Sequence, residues 1–197
     1  MLKLALTMNN CDFKQREVWF MRQVVFYGAI SLDGFLSDEN DDLQWLFDTN
    51  LNGQSTYETF EKQISTFVMG RKTFEVAQKL MSEATLYAGK EKVVFSRGKH
   101  LSQTDTTYVS GNVVDIIKDY QKQAGNDIWV VGGGSILKPL LEANMVDEFW
   151  IQIVPVLLGQ GKRLFEPGRY RYRLQVIETT QLGEMTEIHL KRASAIK

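Results

Sequence analysis

The stretch DIWVVGGGSILKPLL, residues 127–141, places three consecutive glycines where an apolar, strand-like segment passes into a helix-like one. Glycine loses more backbone freedom on folding than any other residue, so three in a row need a physical reason. One reason is that a ligand comes close to the backbone of Gly132, Gly133 and Gly134, with the hydroxyl of Ser135 beside it. A tight strand-to-helix crossing without a ligand explains this stretch equally well when it is taken alone.

A helix that begins directly after a strand offers a site for an anion. In open α/β sheets, ligands bind beyond the carboxyl ends of the strands. The N-terminus of a helix also presents free N–H groups and the positive end of its dipole. The pattern G-x-G-x-x-G is not matched, because its last position is Leu137, and no Gly-Lys-Ser/Thr follows as in a P-loop. The functional interpretation is therefore a diphosphate site that follows neither common nucleotide-binding pattern.

Two other predicted strands also end in glycine, hydroxyl or basic residues. VMGRKTF, residues 68–74, and VVFSRGK, residues 93–99, both run from an apolar strand into such residues. Cations and hydroxyls at one sheet edge suit an anion such as a ribose 2′-phosphate, which arginine binds bidentately. Any one of Arg71, Lys72 and Arg97 is more ordinary as a solvated surface charge. Because all three directly follow strands, the joint interpretation as a ligand edge is favoured.

The chain alternates predicted strands with predicted helices, which indicates the α/β class. Strands are predicted at 24–30, 67–69, 92–95, 107–109, 128–131 and 149–158, and a closing hairpin at 174–180 and 186–191. Helices are predicted at 42–48, 55–64, 71–81, 113–124 and 135–143. We expect a three-layer α/β/α sandwich whose mixed, mostly parallel sheet gains an antiparallel edge from the last two strands.

Composition excludes several classes of function. The 197 residues carry a net charge of −1, which gives no indication of a nucleic-acid or membrane partner. The single cysteine, Cys11, rules out an intramolecular disulfide and a cysteine-rich zinc site, and two histidines make a multi-histidine metal site unexpected. We therefore expect no metal. No apolar run approaches the roughly 20 residues that span a bilayer.

The first residues differ in pattern from the rest. Residues 1–21 contain a short apolar patch but no signal-peptide pattern, and we expect them to be an extension that the domain at 22–197 does not need. A helix on the surface or at a subunit contact is the alternative. Since no export signal is visible, we expect a cytoplasmic protein.

These segments, in this order, resemble the dihydrofolate reductase superfamily. They are most similar to the branch with the C-terminal reductase domain of bacterial riboflavin-biosynthesis proteins and its small stand-alone bacterial relatives. The matching stretches span nearly all of residues 23–166, and the most specific are VVGGGSILKPLLE, residues 130–142, and VDEFWIQIVPVLLGQGKRLF, residues 146–165. The resemblance implies a dihydrofolate reductase-like fold and NADPH as the cofactor.

The resemblance also implies positions for the cofactor. The residues implied at its diphosphate are Gly132, Gly133, Gly134, Ser135 and Ile136. Those implied at its adenosine side are Gly70, Arg71, Lys72 and Thr73, with Ser96 and Arg97 near the 2′-phosphate. Ala29 and Ile30 would lie against the nicotinamide and the substrate, under a loop of residues 31–36.

Hydride transfer to a C=N or C=O bond also requires a proton. A carboxyl group at a helix start inside a largely apolar pocket could supply it. The stretch DLQW resembles that of bacterial dihydrofolate reductases, which implies Asp42 as the catalytic acid, with Trp45 one turn later. Asp42 reads equally as a helix cap, and Asp41 could exchange roles with it.

The match departs from both named enzymes in the substrate region. Gln152 and its neighbour Ile151 stand where folate reductases carry a threonine, and Phe35 stands where riboflavin-pathway reductases often carry a phosphate-binding cation. We expect Asp42, Trp45 and Gln152 to bind the substrate in a more apolar pocket.

The resulting prediction is an NADPH-dependent oxidoreductase. It would act on C=N or C=O bonds of a small heterocyclic substrate, pterin- or pyrimidine-like, or of a carbonyl compound. A non-catalytic module that binds a nucleotide or pterin on the same fold is the alternative. We expect a homodimer, because close relatives of the riboflavin type pair through the face that corresponds to VPVLLGQGKRLF, residues 154–165.

Overall fold

The computed structural model describes residues 21–81, 86–98 and 104–193. Its strands are β1 Val24–Ser31, β2 Phe35–Ser37, β3 Ile64–Gly70, β4 Glu91–Phe95, β5 Thr106–Val109, β6 Asp127–Val131, β7 Glu148–Val154, β8 Lys162–Arg163, β9 Leu174–Leu182 and β10 Met185–Arg192. Its helices are α1 Gln44–Phe47, α2 Tyr57–Glu61, α3 Arg71–Leu80, α4 Val113–Gln121 and α5 Gly134–Glu142.

Eight strands form one sheet in the order β5-β4-β3-β6-β1-β7-β10-β9. The strands from β5 to β7 run parallel, whereas β10 is antiparallel to β7 and β9 is antiparallel to β10. The short strands β2 and β8 pair separately as an antiparallel ribbon. This is the predicted mixed sheet with an antiparallel C-terminal edge, and the fold prediction is confirmed.

The sheet is covered on both faces, because successive side chains of a strand point to opposite sides. Phe26 and Val130 pack with Ile117 of α4 and Leu137 of α5 in one core cluster. The opposite face holds a second cluster, built from Val25, Phe67, Trp129, Phe60 of α2 and Phe74 of α3. These two cores make the three layers and fix the strand ends from which the candidate site is built.

Several predicted boundaries are wrong, among them the end of the helix predicted over 113–124, which stops at Gln121. The helix predicted to reach Ile64 ends at Glu61, and Ile64 instead begins β3, where it is buried. The strand predicted over 149–158 ends at Val154, directly before Pro155, which lacks the N–H that a sheet ladder requires.

The N-terminal prediction concerns residues that lie almost wholly outside the described part. Residues 1–20 are not described, so the division at residue 21 stays a prediction. Arg22 is buried, and its guanidinium donates from Nη2 to Thr66 Oγ1 at 2.5 Å and to Ser65 Oγ at 3.0 Å. In the described ranges, no helix is long and apolar enough to cross a membrane.

Candidate cofactor and substrate site

The carboxyl ends of three neighbouring parallel strands, β4, β3 and β6, meet at one edge of the sheet. Register pairs Met69 of β3 with Val131 of β6, so that Gly70 and Gly132 follow side by side. Gly70 is in turn paired with Phe95 of β4, directly before Ser96. The structure therefore brings the three predicted ligand-binding strand ends together, as their positions in the sequence indicated.

The glycine run is tightly enclosed by side chains. A Cβ at Gly132 would lie 2.8 Å from Thr73 Oγ1, and the φ of Gly132, +89°, is one that other residues rarely adopt. A Cβ at Gly133 would overlap the side chain of Leu36, and one at Gly134 would overlap the carboxylate of Glu166. Gly132 therefore requires the absence of a side chain, whereas a Cβ at Gly133 or Gly134 would require Leu36 or Glu166 to move.

Helix α5 begins at this run. The N–H groups of Ile136 and Leu137 both reach the carbonyl oxygen of Gly133, each at 3.2 Å. The N–H groups of Gly134 and Ser135, which precede them in the first turn, have no acceptor within the helix, so these two remain available to an anion. A diphosphate fits these donors once Leu36 and Glu166, two flexible side chains, turn away from Gly133 and Gly134.

Ser135 and Ile136 differ in what they offer to such a ligand. Ser135 is exposed, and a Cβ at Gly70 would lie 3.9 Å from its hydroxyl oxygen. The side chain of Ile136 is only 5% exposed and belongs to the core around α5. Ile136 can therefore serve the predicted site only through its backbone.

The predicted cations lie on the rim of this edge. Arg71 and Lys72 are the first residues of α3, and Arg71 forms an exposed ion pair with Glu75 at 2.6 Å. Arg97 is also exposed, in the turn where Ser96 Oγ accepts from the N–H of Gly98 at 3.2 Å. The arrangement agrees with a 2′-phosphate site and equally with ordinary surface charge, and the assignment stays a prediction.

Asp42 lies directly before Leu43, the N-cap residue of helix α1. Its Oδ1 accepts from the N–H of Gln44, the first residue of α1, at 3.0 Å. The residue is exposed, so the apolar surroundings expected of a catalytic acid are not observed. Asp41 pairs with Lys162, and the pKa of its carboxyl is lowered, first by the hydrogen bond from Lys162 and further by the charge of Lys72. The role of proton donor stays a prediction.

Trp45 and Ala29 lie together on one side of the sheet. Both pack against a small cluster formed by Val154, Leu182 and Met185. Ile30 points to the opposite face, into the core around α4 and α5. Of the two residues expected at the nicotinamide, Ala29 is therefore the one whose side chain shares a face with Trp45.

The loop at 31–36 is fixed by Asp33. Its Oδ1 accepts from Ser31 Oγ at 2.6 Å and from the N–H of Leu158 at 3.1 Å, and its Oδ2 accepts from the N–H of Gly159 at 2.7 Å. The hydrogen bond from Ser31, helped by those backbone donors, lowers the pKa of Asp33 to about 2. The next residues form β2, which pairs with β8 and carries Leu36 over the glycine run.

A ring of four polar side chains lies on the same face as Ala29, and we name it the polar ring: Tyr27, Thr56, Gln152 and Glu187. Gln152 Nε2 donates to Tyr27 Oη at 2.5 Å and to Glu187 Oε2 at 3.0 Å. Thr56 Oγ1 donates to the same Glu187 oxygen at 2.7 Å and lies 3.4 Å from Tyr27 Oη. Gln152 was predicted from the sequence, whereas Glu187, only 1% exposed, was missed.

Burial raises the pKa of Tyr27 in the polar ring, and the negative charge of Glu187 adds to that effect. Tyr27 is therefore a neutral phenol that both donates and accepts a hydrogen bond. In the described ranges, no cluster of three or more histidine, cysteine or acidic side chains has the geometry to hold a metal ion.

Sequence comparison then decides the family. A family model described as the RibD C-terminal domain matches residues 22–188. The chain belongs to the RibD C-terminal domain family. Two similar proteins, both from Bacillus subtilis strain 168 and both named as uncharacterized, are YwjB and YyaP. YwjB is 28% identical over 87% of this chain and 99% of its own length, and YyaP is 30% identical over 80% and 88%.

Solved structures agree with membership of the RibD C-terminal domain family. A putative riboflavin biosynthesis protein from Shewanella sp. PV-4 is 26% identical, with a TM-score of 0.78 over 87% of this chain and 99% of that one. Dihydrofolate reductase from Enterococcus faecalis, complexed with NADP(H), is 18% identical, with a TM-score of 0.60 over 89% and 99%. At that identity the second likeness shows the fold alone. The predicted resemblance to the dihydrofolate reductase superfamily and its riboflavin branch is confirmed.

A two-function enzyme shares the fold over part of its length. The diaminohydroxyphosphoribosylaminopyrimidine deaminase/5-amino-6-(5-phosphoribosylamino)uracil reductase of Thermotoga maritima has a TM-score of 0.68 at 13% identity. The match covers 92% of this chain but 59% of that enzyme. The RibD C-terminal domain chain thus corresponds to a part of the larger protein.

Proposed function

We propose that this protein is an NADPH-dependent reductase of a small heterocyclic or carbonyl substrate. The observation that carries the proposal is the run Gly132, Gly133 and Gly134 at the carboxyl edge of the sheet, where a Cβ at any position would meet a neighbouring side chain. A turn without side chains at the start of a nine-residue helix suits a diphosphate bound by backbone N–H groups. Membership of a family with reductases among its structural relatives supports the same function.

The rim residues would then select the cofactor. Arg71, Lys72 and Arg97 supply positive charge for a 2′-phosphate, and Thr73 and Ser96 supply hydroxyls beside it. NADPH, when bound, supplies the hydride. Ala29 would support the nicotinamide end, because it shares a face with Trp45 and with Gln152, the residues proposed for the substrate.

The test is the difference in affinity between NADPH and NADH, measured by calorimetry. We expect NADPH to bind more tightly, and Arg97→Ala to reduce that preference about tenfold because a charge-assisted hydrogen bond is lost. Arg171→Ala, an exposed change outside the site, is the matched control. Equal affinities of the unaltered protein for NADPH and NADH would contradict the proposed roles of these cations.

A non-catalytic binding module is the second candidate function. The observation that favours it is the exposed position of Asp42, which accepts a hydrogen bond from the N–H of Gln44 and provides no buried acid. Such a module would bind NADPH or a pterin without turnover. NADPH oxidation that depends on an added pterin, pyrimidine or carbonyl compound would exclude this candidate, and tight binding with no oxidation across that panel would favour it.

We also propose a cytoplasmic homodimer that contacts its partner through residues 154–165. Leu157 is 71% exposed and Phe165 is 40% exposed, so this stretch presents large apolar side chains to solvent. Single exposed apolar residues are common, but two on one short stretch suit a subunit contact. Light scattering of Leu157→Lys tests this arrangement, and a monomer is expected.

A further inference from the structure

Glu187 is a buried carboxylate that the proposed function does not use. It is 1% exposed, and no ion pair to it occurs within the described residues. Two neutral donors, Thr56 and Gln152, compensate for its burial. A buried charge is costly unless it is hydrogen-bonded, so this arrangement needs a reason beyond filling the core.

The position of Glu187 connects it with the substrate side of the candidate site. Ala29 of β1 is paired with Gln152 of β7, and Gln152 is paired with Glu187 of β10. These three residues form one row across the sheet, with Glu187 about 10 Å from Ala29 at the usual spacing of strands. Gln152 is partly exposed whereas Glu187 is buried, so a ligand in this row meets Gln152 first.

The chemistry of a carboxylate fixes the direction of every hydrogen bond in the polar ring. An ionised carboxylate only accepts, so the hydroxyl of Thr56 and the amide of Gln152 both donate to Glu187. The hydroxyl hydrogen of Thr56 is thereby used, and Tyr27 must donate to Thr56 Oγ1. The second amide hydrogen of Gln152 goes to Tyr27 Oη.

All the polar hydrogens of the ring are consequently engaged. What remains is acceptor capacity, above all the carbonyl Oε1 of Gln152, for which the described residues supply no donor. The amide cannot turn over to present its NH₂ group instead, because its carbonyl would then face the oxygen of Glu187.

We propose that Glu187 is a positioning residue that sets substrate specificity. By holding Gln152 in this orientation, it makes the site select a ligand that brings an N–H or O–H donor to the row of Ala29 and Gln152. The inference rests on the proposed function, which puts the substrate at this row. Its content is the polarity of the ligand: a donor is bound, and an acceptor of the same shape is rejected.

The test compares two probes of nearly the same shape, a diaminopyrimidine and the analogue with both amino groups replaced by methyl groups, which have no N–H to donate. Binding is measured by ligand-observed NMR at an alkaline pH where the diaminopyrimidine is neutral. The unaltered protein should bind the diaminopyrimidine at least about tenfold more tightly, since a buried acceptor left without a donor costs roughly that factor. Glu187→Gln should largely remove the preference, because the amide at 187 also donates and frees Gln152 to turn.

Three further measurements separate the outcomes. Gln152→Met removes the acceptor while Glu187 stays, and it should also remove the preference, which keeps the test informative if Glu187→Gln folds poorly. Glu178→Gln makes the same charge change at an exposed site of β9 and should leave the preference intact. The affinity for NADPH should be unchanged in all variants. If the unaltered protein does not bind NADPH, the proposed function is refuted. The inference about Glu187 would be refuted if the unaltered protein did not prefer the diaminopyrimidine, or if both Glu187→Gln and Gln152→Met kept that preference. Neither result would refute the proposed function.

Discussion

The carboxylate of Glu166 lies where a Cβ of Gly134 would stand, at the first residue of α5. An acidic side chain at the start of a helix is favourable, because the helix dipole is positive there. The same place suits the diphosphate of a dinucleotide. Glu166 and the proposed cofactor thus compete for one set of backbone donors.

Glu166→Gln should strengthen binding of NADPH. The change removes a negative charge that the cofactor must displace, and charges at a helix end contribute about 0.3–1 kcal/mol, which corresponds to roughly a twofold to fivefold lower Kd. Calorimetry at low and high salt measures it, with the larger gain expected at low salt. Glu178→Gln serves as the control for net charge, and an unchanged or weaker affinity in Glu166→Gln would show that the two anions do not compete.

Gly132→Ala should destabilise the fold. The φ of Gly132 is +89°, which costs an alanine about 1–2 kcal/mol, and the new Cβ would lie 2.8 Å from Thr73 Oγ1. Urea denaturation should show a lower free energy of unfolding. The pair Gly132→Ala and Thr73→Ala should recover only the steric part, because the backbone strain remains; complete recovery would mean that the φ of this residue is not restrictive.

The contribution of the Asp33 hydrogen bonds to the free energy of unfolding should decrease at acidic pH. Its pKa is lowered to about 2 in the folded protein, against an ordinary value of 3.8, so its stabilisation is fully present above pH 3.8 and is lost as the pH falls through about 2. Asp33→Asn should therefore lower the free energy of unfolding near neutral pH, and the gap to the unaltered protein should narrow between those two values. Asp119→Asn, at an exposed ion pair, should give a small effect. A gap for Asp33→Asn that is independent of pH would contradict the assignment.

Asp42→Asn separates the two roles of Asp42. The amide oxygen of asparagine still accepts from the N–H of Gln44, so α1 and the free energy of unfolding should change little. If Asp42 donates the proton, kcat should fall by a factor on the order of 100 while the Kd of NADPH stays constant. Equal turnover by the two proteins would leave Asp42 with only its hydrogen bond to the N–H of Gln44.

The sequence was sufficient for the features that depend on local pattern. The glycines at 132–134 and the strand that precedes them indicated a ligand edge, and the structure brings Gly70 and Gly132 together there because parallel strands end at the same side of a sheet. The end of α2 was not predictable in the same way. Residues 62–64 fit either a longer helix or the start of a strand, and pairing of Ile64 with Asp127 decides between them.

The burial of Glu187 could not be predicted from the local sequence pattern. On a closing edge hairpin, an acidic residue such as Glu187, which stands between Thr186 and Ile188, usually faces solvent. Here residues distant in sequence cover the hairpin: Glu184 donates its N–H to Asn50 O at 2.9 Å, and Gly183 donates its N–H to Gln54 Oε1 at 2.9 Å. Thr56, a few residues further on, then reaches Glu187. Burial by a distant segment leaves no periodic signal in the strand that it covers.

The ribbon of β2 and β8 connects Leu36, which covers the glycine run, with the segment that contains β8. Leu36 belongs to β2, and Asp33 ties the residues before it to Leu158 and Gly159. In the proposed dimer, a ligand that displaces Leu36 would therefore disturb the same part of the chain that contacts the neighbouring subunit, residues 154–165. Assembly state and ligand occupancy would then be thermodynamically linked, each altering the equilibrium of the other by an equal factor.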